Sequence, residues 1–331
     1  MLCFDDMSNT NFWPTLTKPI LALAPMEDVT DAAFRQIIAK YGKPDVMFTE
    51  FASVDGIVSN KGRDRVLFDL QYDNSERPIV AQLFGSKPEN FYLAAKIVSG
   101  LDFDGIDINM GCPDKSVVKQ GAGSALIKDS TLAKEVIAAT KEGAGEKPVS
   151  VKTRIGFSKI DIEEWIPALL EAQPAAITVH GRTRKEMSKV PANWDIIGQV
   201  ATMARGSDIV ILGNGDVRST EEAIKKVQTY KIDGAMIGRG IFGNPWFFNK
   251  EIKKGDLPLA EVLAVLFEHT KLFEQLLGNS RPFMLMRKHF ASYLKGYDGA
   301  KELKMALMET SNAAEVGQTI EQFLKTPTQW L

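Results

Sequence analysis

Residues 209–240, IVILGNGDVRSTEEAIKKVQTYKIDGAMIGRG, hold one complete copy of the pattern that decides the fold. An apolar, β-branched run opens the stretch and breaks at Gly213-Asn214-Gly215-Asp216. Ser219 then stands as a helix N-cap, with Glu222 at the spacing of a capping box. A helix-patterned segment follows over 219–227. A second apolar run begins at Gly234 and ends at Gly238-Arg239-Gly240. Strands that alternate with helices in this way make βαβ units and a parallel sheet.

The same alternation extends back to the start of the chain. Apolar runs begin at residues 21 (LALAPM), 46 (VMFTE), 79 (IVAQLFG), 105 (GIDINMG), 148 (PVSVKTRIG) and 176 (AITVHGR), before the pair at 209 and 234. Between them lie helix-patterned segments at 31–41, 88–98, 130–141 and 161–171, with Ser130 as a further N-cap. Eight nearly even units predict a (β/α)8 TIM barrel of the α/β class. A doubly wound sheet is the competing architecture, but no G-x-G-x-x-G opens the first helix. After Pro245-Trp246-Phe247 the alternation stops. Helices are expected over 259–277, 283–294, 300–310 and 319–324, punctuated by Gly278, Pro282 and Gly296. The expected organisation is an N-terminal extension (1–19), a barrel (20–254) and a small all-helical domain (255–331).

Composition narrows the function classes. The chain has 331 residues, 44% hydrophobic and 25% charged, which suits an ordinary folded core. No apolar run approaches the ~18 residues that would span a bilayer. The first residues carry Asp5 and Asp6 and no basic residue, the wrong sign for a signal peptide. Two cysteines, Cys3 and Cys112, predict no structural disulfide and fit a reducing cytoplasm. His180, His269 and His289 with those cysteines make no zinc-type set, so no metal is expected. The net charge of −2 counts mildly against a nucleic-acid binder. Locally, however, Arg281, Arg287, Lys288, Lys295, Lys301 and Lys304 face only Asp298 and Glu302, with Phe283, Phe290, Tyr293 and Tyr297 interleaved. On its own this reads as a solvated helix face over an aromatic core.

Barrel chemistry sits where the strands end. Polar residues do end these runs: Glu50, Gln82, Asn109, Lys152, Arg154, His180, Arg182, Asn214, Asp216 and Arg239. The fourth run, GIDINMGCP, turns sharply at Gly111 and Pro113 and offers an amide, Asn109, beside a thiol, Cys112. The glycines of the seventh and eighth loops let backbone N–H groups approach a phosphate, and Arg239 supplies charge. Met26 can pack on a flat ring, Gln82 can read a pyrimidine edge and Lys152 can sit near the N1/O2 side of a flavin. Separately each has a plain reading: a core methionine, an amide capping a neighbouring strand, a lysine paired with Asp107. Together at strand ends they favour FMN.

The residues also carry a family resemblance. APMEDVTDAAFR (24–35), AQLFG (81–85), INMGCP (108–113), GAGSALI (121–127), PVSVKTRIG (148–156), TVHGRTR (178–184), LGNGDV (212–217), MIGRGIFGNPW (236–246) and MRKHFASYLKG (286–296) resemble, in order, the tRNA-dihydrouridine synthases. The resemblance implies an FMN-dependent TIM barrel with a C-terminal helical domain. It implies reduction of the C5–C6 bond of uridine in tRNA with NADPH as reductant. Cys112 matches the thiol that protonates C5 while reduced flavin delivers hydride to C6. Pro25, Met26, Glu27, Gln82, Lys152, His180, Asn214, Gly215, Asp216, Gly238 and Arg239 match flavin-contacting motifs. Asn109, Arg182, Arg184, Arg287 and Lys288 become expected substrate contacts, with Arg281 and Lys295 as further candidates for tRNA backbone. A monomer is expected. One departure stands out. After HGRTR the family often has a Gln and an aromatic residue, whereas this chain has Lys185-Glu186-Met187-Ser188, which points to altered RNA contacts. The alternatives are an FMN barrel of the dihydropyrimidine or dihydroorotate dehydrogenase kind acting on a free pyrimidine, a non-catalytic RNA-binding barrel, and a phosphosugar isomerase.

Overall fold

A computed structural model describes residues 10–297 and 299–325; Cys3, Asp298 and the first nine residues of the expected N-terminal extension lie outside them. Eight parallel strands form the sheet: β1 (Ile20–Leu23), β2 (Met47–Ser53), β3 (Ile79–Phe84), β4 (Gly105–Met110), β5 (Val149–Arg154), β6 (Ala176–His180), β7 (Val210–Asn214) and β8 (Gly234–Ile237). Their order is β1-β8-β7-β6-β5-β4-β3-β2. The ring closes between β1 and the lead-in to β2. There the Asp45 N–H donates to Leu21 O at 2.8 Å and the Leu23 N–H to Val46 O at 2.9 Å. This is the barrel the sequence predicts.

The helices between strands are α1 (Ala32–Tyr41), α2 (Val54–Val58), α3 (Arg63–Asp69), α4 (Pro88–Ser99), α5 (Lys115–Lys119), α6 (Ser130–Ala144), α7 (Ile162–Glu171), α8 (Trp194–Met203) and α9 (Thr220–Tyr230). Ser219 caps α9 as expected, its Oγ accepting from Glu222 N–H at 3.1 Å, while the Glu222 carboxylate turns to Arg218 N–H. The predicted cap of α6 is corrected by one residue. Asp129, a stronger acceptor than Ser130, takes the Leu132 N–H at 3.0 Å.

Side chains alternate across a strand, so Gln82, Asp107, Asn109, Ser150, Lys152, Arg154, His180 and Asn214 share one face. Hydrogen bonds among them link β3, β4 and β5, and one from Lys152 of β5 passes over β6 to Asn214 of β7, which puts that face inside the ring. Below this polar layer the interior is apolar, with Ile20, Ala22, Phe48, Val80, Val210, Leu212 and Met236 packed on Trp13. Trp13, from a short turn ahead of β1, is 1% exposed and plugs the N-terminal end.

Beyond β8 the chain is helical: α10 (Leu259–Leu277), α11 (Arg287–Tyr293), α12 (Ala300–Glu309) and α13 (Ala313–Lys325). The expected 283–294 helix begins as a 3₁₀ turn at Phe283–Met286 because Pro282 precedes it. These helices share a core of their own with Ala33 and Ile37 of α1 and with Trp246.

Candidate active site at the C-terminal mouth of the barrel

A cavity of about 800 Å³ opens at the C-terminal ends of the strands, inside the usual range of ~300–1,000 Å³ for ligand sites. Its wall includes Pro25, Met26, Gln82, Asn109, Cys112, Lys152, Arg154, His180, Arg182, Asn214, Gly215, Asp216, Gly238 and Arg239. A larger depression of about 990 Å³ lies at the opposite end, around Lys18, Arg205, Lys231 and Asp233, where this fold carries no catalytic loops.

The floor is one connected chain of hydrogen bonds. Ser150 Oγ donates to Asp107 Oδ1 at 2.6 Å, and Gln82 Nε2 donates to Asp107 Oδ2 at 2.7 Å. Asn109 Nδ2 donates to Gln82 Oε1 at 2.9 Å. Asn109 Oδ1 in turn accepts the Gly111 and Cys112 N–H groups at 3.1 and 2.8 Å. The thiol-bearing turn therefore hangs from a buried carboxylate through two amides. Asp107 accepts from Ser150 and Gln82, and Lys152 feels its charge without forming a close ion pair with it. Burial raises the Asp107 carboxyl to about 6. Gly123, at φ +60°, closes over the turn; a Cβ there would meet Cys112 O at 3.0 Å. Cys112 is free and half-buried, and burial raises its pKa above the usual thiol value, which keeps the proton on Sγ at neutral pH.

The adjoining wall, from β5 to β8, is cationic. Burial, with Arg154 next, lowers Lys152 to about 8. Its Nζ has a weak partner, Asn214 Oδ1 at 3.3 Å. Burial and the charges of Lys152, Arg154, Arg182 and Arg239 hold His180 well below its ordinary value, so it is a neutral imidazole. Its Nε2 lies 3.1 Å from Arg182 Nη1, a donor, which puts the ring proton on Nδ1. Asp216 bridges Arg182 and the exposed Arg239, the latter at 3.3 Å. Gly238 leaves room beside the platform; a Cβ there would sit 3.4 Å from Met26 Sδ.

The expected residues do not all converge. Glu27 is exposed at the rim and off the cavity wall. Arg182 is 2% exposed and internal, tied to Asp216, to His180 and to Val190 O at 2.6 Å. Arg184 lies off the wall against the Phe157 ring at 5.4 Å. Arg287 is half-buried with Nε enclosed and unpartnered, and Lys288 turns inward onto the Asp28 carbonyl. Arg281 is bound by carboxylates. Among the wall residues that sequence reasoning left without a role are Arg154 and Ser292; Lys295, expected as a contact to tRNA backbone, also lines the wall, and it and Ser292 come from the C-terminal region. Arg154, at the end of β5, donates to Gly111 O at 2.7 Å and Thr183 O at 3.1 Å, joining the thiol turn to the loop after β6. In that loop the departure from the expected pattern is tied to the barrel: Glu186 Oε2 accepts the Thr183 N–H at 2.7 Å, Met187 O accepts from Arg154 Nη1 at 3.3 Å and Ser188 joins the cavity wall, while the Met187 side chain stands exposed.

The family model described as Dihydrouridine synthase (Dus) matches residues 22–328. The chain belongs to the dihydrouridine synthase family. The probable tRNA-dihydrouridine synthase 2 of Bacillus subtilis (strain 168) is 40% identical over 317 residues, 95% of this chain and 96% of that protein. The probable tRNA-dihydrouridine synthase of Staphylococcus epidermidis (strain RP62A) matches equally, at 40% identity over 95% of this chain and 96% of its own. Among solved structures, a 2-naphthoyl-CoA reductase in complex with 2-naphthoyl-CoA shares the fold, with TM-score 0.54 and 11% identity over 70% of this chain. The match spans 49% of that reductase chain. A dihydrouridine synthase is an oxidoreductase, and a flavin is the cofactor class that goes with the family. Among the described residues no helix is long and apolar enough to cross a membrane.

Proposed function

We propose that this dihydrouridine synthase reduces the C5–C6 bond of uridine in tRNA, with FMN in the mouth cavity and NADPH as reductant, in the cytoplasm and as a monomer. The observation that carries the reading is the Cys112 thiol, suspended by Asn109 at the end of β4, with an under-partnered Lys152 beside Asn109 on the neighbouring strand. An ammonium whose one acceptor is 3.3 Å away suits a ligand that brings its own electron-rich edge. Four further cationic or neutral donors beside it, Arg154, His180, Arg182 and Arg239, suit a phosphate-bearing ligand. The donor set therefore fits FMN.

Pro25 and Met26 would form the platform, Gln82, Lys152 and His180 would meet the ring edge, and Asn214, Gly215, Asp216, Gly238 and Arg239 would hold the phosphate arm. When bound, the flavin supplies the two-electron reduction. The chain's own contribution is the proton: Cys112 Sγ holds it, and its raised pKa makes the thiol a general acid that gives it to C5 of the base. Asn109 spends its carbonyl oxygen on the thiol turn and one N–H on Gln82. A second N–H on Nδ2 remains for the base. A uridine must leave its stack to reach this depth. Residues 255–331 are the proposed tRNA-binding unit, with Arg287, Lys295, Lys301 and Lys304 facing backbone phosphates, and Arg184 on the far rim.

The test is a visible spectrum of the purified protein, followed by mass spectrometry of dihydrouridine in unmodified tRNA incubated with NADPH. A yellow protein that forms dihydrouridine is expected. Cys112→Ala should keep the flavin and lose about 10²–10⁴-fold in turnover, the usual worth of a placed general acid. A yellow protein inactive on tRNA but active on free pyrimidines would replace this reading with the dehydrogenase one.

A further inference from the structure

We propose that Arg281 is a positioning residue: from the C-terminal helices it locks the β1 loop that carries Pro25 and Met26, and so sets how tightly the cavity holds its cofactor. The proposal rests on the flavin reading above. Arg281 follows α10, and its side chain is 16% exposed. Its guanidinium meets three carboxylates of the barrel: Asp28 at 3.2 Å, Glu50 at 3.1 Å and Asp69 at 3.0 Å.

Two of these carboxylates belong to the cavity wall's own supports. Glu50 Oε1 accepts the Asp28 N–H at 2.5 Å, which fixes Asp28 in a left-handed turn at φ +56°. That turn is two residues past Met26, whose carbonyl accepts the Val29 and Thr30 N–H groups at 3.1 and 3.0 Å. Glu50 also immediately precedes Phe51, another wall residue. Lys288, from α11, donates to the Asp28 carbonyl in addition. Two cations of the C-terminal helices thus hold one short loop by its backbone and by its supporting carboxylate. With three carboxylates already bound to its guanidinium, Arg281 has little left to offer a phosphate. Arg281 therefore reads as a latch onto the barrel and not as a contact to RNA. Breaking such an enclosed pair strands Glu50, and the loop loses its reason to hold its turn.

The test compares wild type, Arg281→Met, Arg281→Lys and Asp69→Asn, full length. Asp69 sits on α3 away from the cavity wall and reports any general loss of stability. The readouts are FMN affinity by fluorescence quenching, tRNA affinity by filter binding, and amide exchange over 24–31. Arg281→Met should weaken FMN binding about tenfold or more, the scale for removing a partner that orients a ligand-holding group. It should also speed exchange over 24–31 and leave tRNA affinity within about twofold. Arg281→Lys should recover part of the FMN affinity and serves alone if the methionine variant does not fold. Asp69→Asn should leave FMN binding within about twofold. Lost tRNA affinity with unchanged FMN affinity and unchanged exchange would overturn the latch. So would equal FMN losses in Arg281→Met and Asp69→Asn. If wild type bound no FMN, the flavin reading would fail, while the exchange of 24–31 would still decide whether Arg281 locks the loop.

Discussion

Lys152 carries the clearest titration in the cavity. Burial lowers it to about 8, so its charge is present at neutral pH and lost just above. An anionic or electron-rich ligand edge binds the protonated form, and affinity must fall as pH rises through that value. FMN affinity measured from pH 7 to 9.5 should therefore decline above about 8, and Lys152→Met should be weaker throughout and nearly flat. The position of such residues was legible because each one ends an apolar run, and strand periodicity sends alternate side chains inward. What was not legible is how the amides are shared. Gln82 and Asn109 look like ligand readers in a linear sequence, yet much of their hydrogen-bonding capacity goes to Asp107 and to the thiol turn. The partners of Arg281 were hidden for a similar reason. Its carboxylate partners lie 212 to 253 residues away, and only folding shows that its charge is already matched.

Elements were legible where local chemistry decides them. Ser219 caps α9, and eight runs became eight strands. Ends were misplaced where neighbouring acceptors compete, as Asp129 does with Ser130. The docking of helices to barrel left a trace in one glycine. Gly243, at φ +65° in the loop after β8, faces the end of α11 so closely that a Cβ would lie 2.0 Å from Ser292 C. A methyl there can be accommodated only by moving backbone. Gly243→Ala should cost about 1–3 kcal/mol through overpacking and a disfavoured left-handed turn. Thermal unfolding of that variant should begin at a lower temperature, and a melting point within 1 °C of wild type would show that the seam yields freely.

Across the whole molecule the barrel and the C-terminal helices meet at a buried aromatic junction. Phe34 of α1 lies 5.6 Å from the His269 ring and 5.1 Å from His289, and the two imidazoles are 4.8 Å apart. Burial lowers His269 to about 3, and its Nε2 has no partner. Between pH 6.5 and about 3 the unfolded chain binds a proton there that the native chain refuses. Each pH unit of acidification in that window therefore removes about 1.4 kcal/mol through this residue. Glu50, Asp31 and Asp107, raised by burial to about 7, 6 and 6, act in the opposite sense, because the native state is the better proton acceptor. His269→Leu isolates the imidazole: its stability relative to wild type should rise steadily from pH 6.5 to 4. A pH-independent difference would mean that His269 ionises freely in the fold.

The closure between β1 and β2 has its own consequence. Five residue pairs register β4 with β5, whereas β1 meets the β2 lead-in through a single bridge at Ala22 and Val46. The ring is in effect a continuous sheet fastened by a clasp, and a clasp is where a closed wall breathes. Native-state opening should start there, at a free energy below that of the global transition. The Leu23 and Asp45 amides should exchange before those of β4 and β5. The inner hydrogen-bonded floor beneath Cys112, on the far side of the ring, would stay shut while the β1 side parts, so the thiol-bearing turn is insulated from that opening.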